Sequence, residues 1–350
     1  MKVLVTGSAG FLMGYLVPDL LSAGYEVIGI DNYSKYGRVR RSYDNHPSYR
    51  FIEGDVKDVS LLSELAEGCQ QIVASASIVG GVRYLHAFPY DLLVENERIT
   101  ASTFDAAINA FREGSLRKIN LISSSMVYQE SAVFPTPEGT ETTSPPPRSS
   151  YGFQKLSSEY FARAAWRQYG LPYTIIRPFN CIGAGEVELL GLGELLVGNF
   201  ALMASHVVPD LVLQALKGEE SLHIIGSGRQ TRHYTYAGDV ARGIRLCMEN
   251  SQALNTDFNL ATAESTTVLE LATSIWQKVH GLDRPVRIVH DPPFEDDVEM
   301  RWPDVSKARE LLGFEAPTRL DAVLNSVLAW LRAWSTSAHA ESASSSRRVG

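Results

Sequence analysis

The sequence contains a serine, a tyrosine and a lysine whose order and spacing suit the oxidation of an alcohol. Tyr151 and Lys155 are four residues apart, so on a helix their side chains share one face. An ammonium group near a phenol favours the phenolate and lowers the pKa of the phenol, which makes a tyrosine usable as a base near neutral pH. Ser124 is positioned to hydrogen-bond the oxygen that loses its proton. Together they predict a site that moves a proton on a hydroxyl group.

Each part of this trio also has an ordinary structural explanation. A tyrosine and a lysine four residues apart arise by chance in many chains, and serines 123–125 can simply cap the end of a strand. The catalytic interpretation therefore needs a cofactor site that precedes these residues in the chain.

A glycine-rich turn near the N-terminus predicts such a site. Gly7 and Gly10 lie between an apolar strand and a helix, where glycines let the backbone and the helix N-terminus approach a pyrophosphate. Asp31 follows Gly10 by 21 residues, at the end of the second strand, where its carboxylate can accept hydrogen bonds from the hydroxyls of an adenosine ribose. That carboxylate would repel a 2′-phosphate, which favours NAD over NADP, although Arg38, Arg40 and Arg41 keep NADP open.

The surrounding elements predict how these groups are positioned. Short apolar runs at 2–6, 25–30, 71–75, 116–123 and 172–177 alternate with helical periodicity at 11–23, 61–67, 90–112 and 152–169. Continuous rather than alternating apolar strands are typical of a parallel sheet covered on both faces. We expect an α/β fold, a Rossmann doubly wound parallel sheet, with a smaller C-terminal substrate-binding α/β lobe.

The domain boundaries follow from a change of pattern after Pro178. We predict an NAD-binding Rossmann domain at 1–180, with 237–260 returning to it. The substrate-binding lobe comprises 181–236 and 261–334, and the Ser/Ala/Arg-rich segment 335–350 is expected to be a disordered tail.

Composition excludes several classes of function. The chain has 350 residues, with 32 Lys and Arg against 40 Asp and Glu, a net charge of −8, and no basic cluster for nucleic acid. Its three cysteines, Cys69, Cys181 and Cys247, form no metal-binding pattern. No signal peptide or membrane-length apolar run is visible, so we expect a cytoplasmic protein without a metal.

Taken together, these motifs resemble those of the extended short-chain dehydrogenase/reductase family of nucleotide-sugar epimerases and dehydratases. The resemblance covers Met1 to about Pro317 and includes TGSAGF, YGFQK and RPFN. It departs from the family at Met13, which occupies the place of a third glycine that normally allows close packing of helix on sheet. We therefore expect altered local geometry near Met13.

The resemblance implies a role for each site residue. Ser124, Tyr151 and Lys155 would be catalytic, and Lys155 would also hold the nicotinamide ribose. The cofactor residues would be Gly7, Gly10, Phe11, Leu12, Asp31, Asn32, Asp55, Val56, Ala74, Ser75, Ala76, Asn96, Tyr151 and Lys155. The substrate residues would be Arg83, Ser124, Ser125, Asn180, Arg232 and Arg301, where Arg232 and Arg301 would grip the diphosphate and Arg177 would lie in a substrate-contacting segment.

The residues after Ser124 indicate which reaction is expected. Dehydratases of this family carry an Asp-Glu pair there, and other relatives have a cysteine or a glutamate at the second position, whereas this chain has Ser125 and Met126. The remaining chemistry is that of a 4-epimerase similar to UDP-glucose 4-epimerase: hydride to NAD, rotation of a 4-keto sugar, and hydride back.

Other interpretations remain open from the sequence. The chain could be a dehydratase, an NAD(P)-dependent reductase or dehydrogenase, or a non-catalytic NAD-sensing protein. The nucleobase and sugar are not identified, although Glu186 and Glu188 disfavour a uronate, for which Arg83 is a possible carboxylate partner. By analogy with the family, helices near 90–112 and 152–169 would form a homodimer.

Overall fold

We describe the fold from a computed structural model of the chain. The structure describes residues 1–35, 37–80, 82–185, 206–218, 220–294 and 297–346, without the side chains of 82–84 and 334–346. Glu186 and Glu188, which were expected to disfavour a uronate substrate, lie outside these residues.

A seven-stranded parallel sheet forms the larger part of the molecule, with strand order β11-β6-β5-β4-β1-β2-β3. Valine, isoleucine and leucine fill its central strands because both faces of the sheet are covered. The strands are β1 Lys2–Thr6, β2 Glu26–Asp31, β3 Tyr49–Glu53, β4 Gln71–Ala74, β5 Lys118–Ile122, β6 Tyr173–Pro178, β7 Cys181–Ile182, β8 Leu222–Ile225, β9 Thr231–Arg232, β10 Thr235–Tyr236, β11 Thr256–Leu260, β12 Thr266–Thr267 and β13 Ile288–Asp291.

Helices cover both faces of this sheet, which confirms the predicted doubly wound α/β fold. One buried cluster joins the sheet to α1 and α7, and a second joins it to α2, α4 and α5. The helices are α1 Met13–Ser22, α2 Val59–Ala66, α3 Val82–Ala87, α4 Pro89–Arg112, α5 Ser150–Tyr169, α6 Val207–Leu216, α7 Ala237–Glu249, α8 Val268–His280, α9 Ser306–Leu312 and α10 Leu320–Ser346.

The chain leaves the sheet after β6 and returns to it once. Helix α7 packs beside α1, and β11 pairs in parallel with β6 at the sheet edge. A separate cluster of buried side chains, centred on Trp276 and contributed by α6, α8 and α10, lies beside the short β8–β13 pair. This second body brings β9 and the segment that precedes α9 towards the carboxyl ends of the sheet strands.

Two local features differ from the sequence-based expectations. Helix α10 continues to Ser346, where a disordered tail was expected from Ser335, and residues 347–350 lie outside the described part. At the third-glycine place, Met13 begins α1 with 1% of its surface exposed, so its side chain fills the gap between helix and sheet. In the described part, no helix has both the length and the apolar character needed to cross a membrane.

Candidate active site

The serine and the tyrosine meet at the carboxyl end of β5. Ser124 follows that strand in extended backbone and caps a 3-10 turn, where its Oγ accepts a hydrogen bond from the Met126 amide at 3.2 Å. Tyr151 lies in the first turn of α5, near enough to Ser124 for that side chain to act on the pKa of its phenol.

Gly152 explains how α5 comes so near to Ser124. A Cβ atom at this position would lie 2.8 Å from the Met126 carbonyl oxygen and 2.7 Å from Pro147 Cβ. The helix N-terminus is capped by Ser149, whose Oγ accepts from the Gly152 amide at 3.1 Å. A side chain at 152 would therefore push Tyr151 away from its serine partner.

Lys155 lies one turn further along α5, as the spacing predicted. Its Nζ donates to the Ile122 carbonyl at 3.1 Å and lies 5.9 Å from the centre of the Tyr151 ring. Burial lowers the pKa of Lys155 to about 8, opposed by the charge of Glu159.

The pKa of Tyr151 differs from the sequence-based expectation, because it is raised rather than lowered. Burial raises the pKa of the Tyr151 phenol, while the side chain of Ser124 and the charge of Arg301 act in the opposite direction. Lys155 was expected to lower this pKa, but its amine is directed to a backbone carbonyl at the end of β5. In this arrangement Ser124 and Arg301 are the groups that favour the phenolate.

The glycine turn has the geometry that a dinucleotide pyrophosphate requires. Gly7 has a φ of +70°, and a Cβ atom there would lie 2.8 Å from Ala76 Cα. Within the described residues, the backbone amides of Phe11 and Leu12 donate no hydrogen bond at the N-terminal end of α1. Free amides at a helix N-terminus bind phosphate oxygens, so this turn fits NAD.

Asp31 orders the same turn from the end of β2. Its carboxylate accepts from the Ala9 amide at 3.1 Å and from the Tyr33 amide at 2.7 Å. Burial raises its pKa, and these amides together with Arg41 act against that rise. Arg41 itself donates to the Ala9 carbonyl at 3.0 Å, whereas Arg38 pairs with Glu53 at the surface.

The other predicted cofactor residues line the neighbouring strand ends. Asn96 is 1% exposed and its amide is committed to the backbone of Ile78, so it orders the segment after β4. The Thr6 hydroxyl accepts from the amides of Ser75 and Ala76. The remaining members, Asn32, Asp55, Val56 and Ala74, follow β2, β3 and β4 or end them, as expected for a parallel sheet.

Two neighbouring arginines of the second body lie near the site, and the charge of one of them, Arg301, acts on Tyr151. Arg232 in β9 pairs with Asp297 at 3.1 Å, and burial lowers its pKa. Burial and the nearby Arg232 lower the pKa of Arg301 to about 9, and its Nε is enclosed without a hydrogen-bond partner in the described part. Closely spaced cations with one carboxylate between them form a site for an anion.

Further unpaired polar atoms lie on the elements that border this site. Asn180 has a φ of +37°, and its Oδ1 is buried without a partner among the described residues. Tyr234 Oη is also buried without a hydrogen-bond partner among the described residues, and burial raises the pKa of Tyr234 to about 12. Buried polar atoms of this kind are normally satisfied by protein, water or ligand, so these two are available to a molecule that occupies the site. Nothing in the sequence patterns singled out Tyr234 or Asp297.

Three residues that were predicted to contact the substrate are not seen at the site with an exposed side chain. Arg177 was expected in a substrate-contacting segment, but it is fully buried between acidic side chains and faces no ligand site. Ser125 is 4% exposed beneath Ser124. The side chain of Arg83 lies outside the described residues. Among the residues described, no three His, Cys, Asp or Glu side chains are grouped to hold a metal ion.

Comparison with known proteins identifies relatives of the whole fold. Residues 3–261 match the model of the NAD dependent epimerase/dehydratase family. UDP-glucuronic acid decarboxylase 1 of Danio rerio is 30% identical over 331 residues, covering 93% of this chain and 72% of the relative.

Two solved structures show the same architecture. The UDP-glucose 4-epimerase of Thermotoga maritima, solved with UDP-glucose, has 29% identity and a TM-score of 0.79, covering 95% of this chain and 99% of its own. The UDP-glucuronic acid 4-epimerase of Bacillus cereus, solved with NAD, has 25% identity and a TM-score of 0.77, covering 95% and 99%.

Proposed function

Because the chain belongs to the NAD-dependent epimerase/dehydratase family, we propose that it is a 4-epimerase that inverts a hydroxyl-bearing carbon of a nucleotide-linked sugar. NAD is its cofactor. The observation that carries the proposal is the proximity of Ser124, Tyr151 and Lys155, with the incompletely bonded guanidinium of Arg301 near the phenol of Tyr151.

The proton chemistry belongs to Ser124 and Tyr151. The phenolate of Tyr151 accepts the proton of the sugar hydroxyl, and Ser124 donates a hydrogen bond to the oxygen as it becomes a carbonyl. In the second half of the cycle, Tyr151 returns the proton to the 4-keto sugar after the ring has turned. No net proton or electron leaves the site.

The cofactor would be held by groups already in place for it. The Gly7–Gly10 turn and the amides of Phe11 and Leu12 suit the pyrophosphate, and Asp31 suits the adenosine ribose. When bound, NAD supplies a hydride acceptor that returns the hydride within the same cycle. Lys155, whose amine lies at the end of β5, would hold the nicotinamide ribose.

The diphosphate of the substrate would lie against Arg232 and Arg301. Arg301 Nε and Tyr234 Oη are enclosed polar atoms that a phosphate oxygen can satisfy. Holding the sugar by its diphosphate leaves the ring free to turn between the two hydride transfers. This freedom is what distinguishes an epimerase from a one-way dehydrogenase on the same scaffold.

Met126 supports an epimerase over relatives that need a second acid or base. Its side chain is 8% exposed and apolar, and Ser125 beside it is buried. Neither side chain can eliminate water or assist decarboxylation as a carboxylate would. A decarboxylase or dehydratase, for which relatives exist in the family, would have to recruit such a group from elsewhere.

Turnover without added cofactor tests the proposal. Purified protein is incubated with UDP-, GDP- and dTDP-sugars, and the products are separated by chromatography and identified by NMR. Interconversion of 4-epimers with no net NADH supports the proposal. Stoichiometric NADH, release of CO₂ or loss of water would each assign a different reaction.

Tyr151→Phe is the matching variant. Because it removes the proton acceptor, the epimerisation rate should fall by about 10²- to 10⁴-fold while the protein still binds NAD. Tyr160→Phe is the control, since Tyr160 lies on the same helix but is 58% exposed. Equal activity of the two variants would rule out Tyr151 as the base.

We also propose that the protein is a cytoplasmic homodimer. Helices α4 and α5 pack against each other, and large apolar side chains on them are exposed: Tyr90, Phe153, Tyr160 and Trp166. Pairing these helices with those of a second copy would bury the aromatic surface. Light scattering coupled to gel filtration tests this, and a monomer at micromolar concentration would contradict it.

A further inference from the structure

A buried network of charged side chains lies directly behind the catalytic strand end. Arg177 is fully buried and binds Glu159 through two hydrogen bonds, each of 2.7 Å. It also contacts Glu141 at 2.9 Å and Asp257 at 2.7 Å. The proposed mechanism uses none of these residues.

Two carboxylates of this network are alike in almost every respect. Glu159 and Glu141 are both buried, with 0% and 1% of the side chain exposed, and both contact Arg177 and Arg163. They differ in the third group that each one binds. Glu159 accepts a hydrogen bond of 2.6 Å from the hydroxyl of Ser123, next to the catalytic Ser124, whereas Glu141 accepts one of 2.9 Å from the amide of Gly139 in its own turn.

The hydrogen bond between Ser123 and Glu159 connects the charged network to the catalytic residues. Ser123 precedes Ser124 in the chain, and the amine of Lys155 donates to the carbonyl of the preceding residue, Ile122. Glu159 lies one helical turn after Lys155 on α5, so Tyr151, Lys155 and Glu159 share one helix face. The end of β5 is thus held from both sides by residues of this face.

The charges around these groups come from several elements. Arg163 on α5, Arg177 on β6, Glu141 on the short turn at 140–142 and Asp257 on β11 surround Glu159, with Tyr128 and Lys307 bound to Arg177 and Asp257 respectively. Among the described residues, Glu159 is the charged group that acts on Lys155, and it opposes the effect of burial.

We propose that Glu159 is a positioning residue, which holds Ser123 and therefore Ser124 at the end of β5. From one helical turn along the same face of α5, its carboxylate also exerts an electrostatic effect on the amine of Lys155. This inference rests on the proposed function, because it assigns Glu159 a part in the same reaction. Glu141 serves only the fold.

Comparison of Glu159→Gln with Glu141→Gln tests the proposal in the NAD-bound enzyme. Glu159→Gln should lower kcat by about 10- to 100-fold with little change in KM, because the diphosphate site is untouched. In the profile of kcat against pH, the loss of activity at high pH should begin about one pH unit lower in this variant. The reason is that loss of the neighbouring carboxylate lowers the pKa of the Lys155 ammonium group. Glu141→Gln should leave both quantities near those of the wild-type enzyme.

Thermal unfolding separates these effects from damage to the fold. Both variants remove one buried carboxylate from the same two arginines, so similar losses of Tm are expected. Identical pH profiles and kcat values for the two variants would overturn the proposal. If Glu159→Gln does not fold, Ser123→Ala removes only the linking hydrogen bond, and an unchanged kcat for that variant would overturn the positioning role.

A measurement without substrate keeps the two proposals distinguishable. The ¹³Cε shift of Lys155, assigned with Lys155→Arg, follows the ionisation of its amine against pH by NMR. A lower pKa of Lys155 in Glu159→Gln than in Glu141→Gln supports the inference even if no sugar nucleotide is turned over. Equal values would refute the electrostatic part, whatever the reaction proves to be.

Discussion

The molecule contains two groups of arginines with opposite electrostatic balance. Arg177 is fully buried and is met by three carboxylates, those of Glu141, Glu159 and Asp257. Arg232 and Arg301 lie at the cleft with Asp297 as the carboxylate that acts on both. The pKa of Arg177 is raised well above its usual value and that of Arg301 is lowered to about 9.

The contrast distinguishes an arginine that is neutralised within the fold, Arg177, from two arginines that are available to bind an anion, Arg232 and Arg301. A buried cation with complete partners is stabilised by the fold and offers nothing to a substrate. A cation that is repelled by a neighbouring cation and has a nitrogen without a hydrogen-bond partner lacks a negative partner, and a bound anion can supply one. The diphosphate proposal therefore belongs to Arg232 and Arg301, and not to Arg177.

The largest expected effect is on the network arginine. Arg177→Met removes the fully buried cation that three carboxylates share and leaves them only Arg163 and Lys307 at the edge of the network, so the free energy of unfolding should fall by about 3–5 kcal/mol. Denaturant unfolding measures this loss. Arg163→Met, at a side chain that is 20% exposed, should cost clearly less. Equal stability of Arg177→Met and the wild-type protein would contradict the conclusion that Arg177, unlike Arg232 and Arg301, stabilises the fold.

A smaller effect of a different kind is expected at the cleft. Arg301→Gln removes a cation that is repelled by Arg232, so stability should stay within about 1 kcal/mol of the wild-type value or rise. Affinity for nucleoside diphosphates should weaken by about 10- to 100-fold, as for a lost charge-assisted hydrogen bond. Isothermal titration calorimetry measures the affinity, and unchanged binding would remove Arg301 from the diphosphate site.

The smallest effect concerns the carboxylate that competes with the ligand. Asp297→Asn removes the internal partner of Arg232, which should tighten binding of nucleoside diphosphates by up to about fivefold, corresponding to about 1 kcal/mol. The gain should shrink as salt is added, because salt screens the attraction between the arginine and the diphosphate. Weaker binding in Asp297→Asn would mean that Asp297 orients Arg232 for the ligand instead of competing with it.

Local patterns were sufficient for much of the fold and for the outline of the site. The glycine turn, the alternation of strands and helices, and the common helix face of Tyr151 and Lys155 all depend on residues within one or two turns of each other. Chain geometry makes such features readable from the sequence. Met13 shows the limit, because its motif place suggested a defect where the structure has a well-filled contact.

The sequence by itself determined the element order, the cofactor turn and which residues share a helix face, because these follow from short-range periodicity and glycine stereochemistry. Tertiary structure alone decided that Lys155 donates to Ile122 and that Ser124 and Arg301, rather than Lys155, act on the phenol of Tyr151. It also decided which arginines are satisfied, since Arg177 finds Asp257 across 80 residues of chain. Burial and charge pairing depend on neighbours that are distant in sequence, and no local pattern records them.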